Sequence, residues 1–108
     1  MKLTQGNITK FITVATLTKF LEANPEMLFF EGEWMTKSCV VAKFAQEKFG
    51  NTDLVVNGVE LVDYDAHKRF SLKPIIQEFI HNIDCVANFT KISGKDIRSR
   101  LSQRIKVY

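Results

Sequence analysis

The chain has 108 residues, 45% of them hydrophobic and 25% charged, with two cysteines and a net charge of +3. That balance excludes a disordered polymer and a disulfide scaffold, and it leaves ample apolar surface for one folded domain. No apolar run reaches the roughly 18 residues that a membrane span needs, so no span is expected, and Cys39 and Cys85, 46 positions apart without a CxxC or metal-finger spacing, point to a reduced chain located in the cytoplasm.

The charge is unevenly placed. Residues 91–108 hold Lys91, Lys95, Arg98, Arg100, Arg104 and Lys106 against Asp96 alone, a local net of +5 that leaves −2 for the first 90 residues. Conversely, Glu22, Glu26, Glu31 and Glu33 follow one another with no Lys or Arg between them.

From the N-terminus, Ile8, Phe11, Ile12 and Ala15, with Val14, Leu17 and Leu21, match helical spacing over 8–23, with Asn7 as N-cap. The β-branched content of the same stretch admits a strand over about 10–16 followed by a short helix. Asn24-Pro25 ends either version, because a residue before proline avoids the α region.

Met27–Met35 reads as extended, with Glu31-Gly32 as a tight turn between Leu28-Phe29-Phe30 and Glu33-Trp34-Met35. Thr36 is expected to cap a helix running to Phe49. Its stripe of Val40, Val41, Phe44, Ala45 and Phe49 faces inward, Gln46 and the lysines face out, and Gly50 closes it.

Leu54–Val62 has the pattern of a β-hairpin. Asn57-Gly58 suits a two-residue type I′ turn, which sets Val56 against Val59 and Leu54 against Leu61, with Leu54, Val56, Val59 and Leu61 on one apolar face. The polar stretch 63–69 reads as a turn. Phe70–Leu72 then leads to Pro74 in the first turn of a helix whose Leu72, Ile75, Ile76, Phe79, Ile80, Ile83 and Val86 are expected to cover the hairpin. A final helix is announced by Ser93 as N-cap, Asp96 at N3, and Ile92 and Ile97 as a hydrophobic staple; Ile97, Leu101, Ile105 and Tyr108 form its stripe.

These elements predict an α+β fold over residues 1–108 as one domain: a small antiparallel sheet including the 54–62 hairpin, packed by three or four helices. The leading functional expectation is a small non-enzymatic binding protein that contacts nucleic acid or a nucleoprotein through Lys91, Lys95, Arg98, Arg100, Arg104 and Lys106, since clustered cations neutralise phosphates and release counterions. The alternative is a protein-protein inhibitor or adaptor that uses Phe29, Glu31, Glu33 and Trp34, because aromatic residues supply much of the binding energy at interface centres. In style, a compact domain without catalytic motifs resembles the small accessory proteins of phages that bind a host machine.

Two further groupings have chemical meaning. Asp63, Asp65 and His67 at alternate positions would share a face of an extended segment as metal ligands, but a fourth ligand is missing, and no metal or other cofactor is expected. His81 and Cys85 stand one helical turn apart, the spacing of a nucleophile and base, on a helix apolar enough to suggest packing instead. No GxGxxG, Walker loop, HExxH or GxSxG occurs.

Overall fold

Leu54, Val56, Leu61 and Phe70 share one face of a three-stranded antiparallel meander, and all four belong to the main hydrophobic cluster. The computed structural model describes the backbone of residues 1–30, 35–87 and 91–105, and the side chains of 1–30, 35–85 and 91–102. Among the described residues the fold is α+β, with five helices and two small antiparallel sheets. In chain order these are α1 (Gln5–Phe11), α2 (Val14–Ala23), β1 (Leu28–Phe30), α3 (Val40–Phe49), β2 (Leu54–Val56), β3 (Glu60–Asp63), β4 (Lys68–Ser71), α4 (Pro74–Ala87), β5 (Lys91–Ser93) and α5 (Gly94–Ile105). The meander has the order β2-β3-β4, and β1 pairs with β5 in the second sheet.

The N-terminal segment is neither one helix nor a strand. Thr4, not Asn7, caps α1, accepting from Asn7 N at 3.1 Å. The chain breaks at Ile12-Thr13 because Thr13 and Thr16 satisfy each other's backbone N–H groups, at 3.1 and 3.0 Å, and so start a second helix. Two threonine hydroxyls thus take the role usually given to a Ser/Thr and a Glu. The amide of Gln5 accepts from Ser71 N at 3.0 Å and donates to Ser71 O at 2.9 Å, occupying the outer edge of β4 where a further strand would otherwise pair.

β1 lies within the stretch expected to be extended, yet its partner is remote: Leu28 faces Ser93, Phe29 faces Ile92 and Phe30 faces Lys91. The turn expected at Glu31-Gly32 lies outside the described residues. Helix α3 starts later than expected. Thr36 pairs by two backbone hydrogen bonds with Val56 and its hydroxyl oxygen accepts from Ser38 N, while Cys39 Sγ accepts from Ala42 N at 3.4 Å as the N-cap. The stripe Val40, Val41, Phe44, Ala45 and Phe49 is buried, and Gly50 closes the helix at φ 64°. Gln46 does not face out; its amide donates to Lys37 O and Leu54 O, tying α3 to β2.

The pairing register of the hairpin is shifted by two residues from the expected one, which moves the turn along by one. Val56 pairs with Leu61 and Leu54 with Asp63, so Gly58-Val59 form the turn. Gly58 has φ +95° and Val59 has no positive φ, so the two positive φ angles of a type I′ turn are absent. Asn57 acts through its side chain, whose Oδ1 accepts from Val59 N at 3.0 Å and Glu60 N at 2.8 Å. A shift of two preserves the faces, which is why Leu54, Val56 and Leu61 remain inside while Val59 stands exposed in the turn. Residues 68–71, expected in part as turn, instead form the third strand.

Its cover is also different. α3 lies on β2 and α1 on β4, whereas α4 packs chiefly on α5 and α2. The buried face of α4 is Ile76, Phe79, Ile80 and Ile83; Ile75, about 100° from Ile76 around the helix, is 53% exposed.

α5 begins in backbone contact with α2. A Cβ built on Gly94 would stand 2.5 Å from Asn24 O and 3.3 Å from Leu21 O, while Gly94 N donates to Met27 O and Lys95 N to Pro25 O. Alanine favours a helix over glycine by about 1 kcal/mol at most. Against that stands a clash with immobile backbone, which costs about 1–3 kcal/mol by the usual toll of overpacking. Gly94→Ala is therefore expected to lower the stability measured by urea unfolding, and an unchanged midpoint would contradict the close approach.

Candidate nucleic-acid interface

The first turn of α5 is fixed from the sequence upward. Ser93 Oγ accepts from Asp96 N at 3.2 Å, as the Ser-x-x-Asp spacing implies, and Ile92, Ile97 and Leu101 are buried against the body of the protein. With that stripe inward, Lys95, Arg98 and Arg100 are all exposed. Successive residues advance about 100° around the axis, so Arg98, Ser99 and Ser102 fall within about 60° of Lys95, while Arg100 stands about 140° away on the other flank.

The first flank borders a hollow of about 300 Å³ lined by Leu21, Glu22, Pro25, Lys95, Arg98, Ser99 and Ser102. Arg98 Nη2 meets Glu22 Oε1 there at 2.9 Å, with 46% and 48% of the two side chains exposed. An ion pair so hydrated contributes about 1 kcal/mol or less, so another anion can displace Glu22 at little cost. The helix N-terminus itself offers nothing to an anion. The N–H groups of Gly94, Lys95 and Asp96 are spent on Met27 O, Pro25 O and Ser93 Oγ, which leaves recognition to side chains.

Lys91 is exposed but lies off the helix, on β5. With Phe30, Ser38 and Lys43 it lines a second hollow of about 220 Å³. Lys43 Nζ donates to Leu28 O at 2.9 Å and sits 5.5 Å from the centre of the Phe29 ring. The Arg104 side chain and Lys106 lie outside the described residues. Four of the six sequence-level cations are thus placed, on three surfaces. Glu22 and Lys43 were missed as members of this region. Both touch it only through the α2–α5 and β1–β5 contacts, for which the sequence carries no local signal.

The acidic-aromatic segment is placed only at its start. Phe29 is fully buried, edge-to-face with Phe20 at 6.0 Å between ring centres, and Phe30 is half-buried, as strand alternation implies. Glu31, Glu33 and Trp34 lie outside the described residues.

Asp63, Asp65 and His67 do not share a face. Asp63 ends β3, buried, and accepts from Asn51 Nδ2 at 3.1 Å and from Ala66 N at 3.2 Å, while Asp65 and His67 lie on the turn that follows, His67 with φ 54°. Asp65 turns instead to Asp53. No group of three potential metal ligands occurs among the described residues. His81 and Cys85 are both exposed, not packed. No described helix is long and apolar enough to cross a membrane.

No family model, curated protein or solved structure matches the chain.

The Asp53–Asp65 contact generates a pH dependence. A hydrogen bond from Asp65 and the Lys37 ammonium 3.5 Å away hold Asp53 below the ordinary carboxylate value. That same bond, and the charges of Asp53 and Asp63, push Asp65 above it. The Asp53 contribution is present above its unfolded pKa and fades as pH falls through the folded one. The Asp65 contribution is present below its unfolded pKa and is lost as pH rises through the folded one. Once Asp65 has lost its proton, the hydrogen bond is gone and the two carboxylate charges repel. Asp65→Asn keeps a donor to Asp53 without that charge, and is expected to raise the melting temperature at pH 7 but not at about pH 4. Calorimetry at the two pH values checks this, and equal shifts at both would contradict the shared proton.

Proposed function

We propose that the chain binds nucleic acid, alone or within a nucleoprotein, through the cations of its C-terminal segment. The observation that supports this reading is the segregation of charge: a net of +5 in residues 91–108 on a chain otherwise at −2, with Lys95, Arg98 and Arg100 exposed on α5.

The distribution of those cations favours a duplex over a stacked single strand. Among the described residues α5 carries no aromatic side chain on which a base could stack. Its cations lie instead on both flanks of the outward ridge, about 160° apart between Arg98 and Arg100. A helix about 10–12 Å across fits a B-form major groove about 12 Å wide, so the two flanks reach phosphates of opposite strands. A-form RNA closes that groove to side chains, which makes DNA the preferred duplex. Asp96 opposes the phosphates with a single charge.

Glu22 is a competitor in this scheme, because a phosphate that takes Arg98 must displace it. The test is an anisotropy titration of labelled duplex DNA and duplex RNA at about 50 and 200 mM salt. Binding to DNA is expected to weaken steeply with salt. Arg98→Ala and Arg100→Ala are each expected to reduce the log–log slope by about 0.9, and Glu22→Gln to tighten binding. Absence of binding at low salt, or full affinity in the triple variant Lys95→Ala, Arg98→Ala, Arg100→Ala, would refute the proposal.

A further inference from the structure

α4 presents two side chains that DNA binding does not use. Ile76, Phe79, Ile80 and Ile83 occupy its buried face, which leaves His81 and Cys85 on the solvent side. They stand one turn apart, with imidazole Nε2 3.7 Å from Cys85 Sγ. The other cysteine differs in kind. Cys39 is buried and already serves as the N-cap of α3.

The 3.7 Å separation has a geometric meaning. Zinc takes thiolate sulfur at about 2.3 Å and imidazole nitrogen at about 2.0–2.1 Å, and at a tetrahedral angle these bonds set the two donors about 3.6 Å apart. The pair therefore stands near the bite of a tetrahedral ion without any change in the backbone. Ligands at i and i+4 on a helix are held on one face by the main chain, as in other helical zinc motifs. Thiolate with imidazole selects zinc over magnesium or calcium, which require oxygen donors.

Two donors fill half a tetrahedron. Among the described residues no third ligand joins them on the same chain. Both groups lie on an open helix face, where a second copy can bring the same pair across a two-fold axis and close a His₂Cys₂ shell. We propose that His81 and Cys85 form a half-site for zinc, completed by the same two residues of a second copy of this chain. Each thiol loses its proton to solvent as the metal–sulfur bond forms, so two protons are released per ion and no electrons are exchanged.

The test uses the full chain, held reduced by a phosphine, freed of metal with a chelator and titrated with Co²⁺. A thiolate-to-cobalt charge-transfer band and intense visible bands should saturate at about half an equivalent per chain and be displaced by Zn²⁺. In sedimentation, Zn²⁺ should raise the apparent mass twofold, reversibly on adding chelator. His81→Ala and Cys85→Ser should each abolish the spectrum and the mass change, with far-ultraviolet circular dichroism unaltered because both side chains are exposed. The absence of the band, its persistence in Cys85→Ser, or saturation at one equivalent without a change in mass would each overturn the proposal.

Discussion

Backbone packed against backbone at residue 94 is the constraint on which the rest of this structure depends. The start of α5 lies so close to Asn24 O and Leu21 O that a side chain has no room between them. Gly94 N and Lys95 N are consequently able to bond Met27 O and Pro25 O. Those bonds continue the β1–β5 ladder into the helix start and tie α5 to the segment that follows α2. They also bring Ile92, Ile97 and Leu101 into the cluster built by α2, α3 and α4. The entropy of closing so long a loop grows only with the logarithm of its length, so a few buried aliphatic side chains offset it. Without this docking, Arg98 would not reach Glu22, and α5 would have no fixed orientation.

Charge is layered over that frame at low cost. Arg98–Glu22 and Lys37–Asp53 are exposed pairs that stabilise little, and Arg69–Glu60 is only partly sheltered, although Asn57 and Arg69 together hold Glu60 below the ordinary carboxylate value. Stability comes from the apolar cluster instead. The surface can therefore carry an acidic group at the β3–β4 turn and a basic one on α5 with little effect on folding.

Elements governed by short-range chemistry were legible in the sequence. Pro74 opens α4, Gly50 closes α3, Ser93 caps α5, and the stripe from Val40 to Phe49 is buried, each from a residue's own backbone preference or from helical period. The errors arose where two short-range signals competed or where the partner was distant. Asn57-Gly58 suggested a type I′ turn, but the Asn57 side chain accepts from Val59 N and Glu60 N, and the turn lies one residue further on, with the strand register shifted by two. Thr13 and Thr16 cap a helix inside what periodicity made continuous. β4 is Lys-Arg-Phe-Ser, too polar to announce a strand, and it is defined by its pairing with β3. Of the site, the cations on α5 could be read directly, but Glu22 and Lys43 join them only through tertiary contacts.

The pairing of β1 with β5 bears on how the chain is made. Leu28-Phe29-Phe30 is synthesised long before Lys91-Ile92-Ser93, and until the latter has left the ribosome the apolar strand has no ladder partner on that side. Its fully buried Phe29 then lacks the Ile92 that packs beside it. Closure of this sheet consequently waits for residues 91–93, and the nascent protein passes through an interval with an open apolar edge, the kind of surface that chaperones recognise.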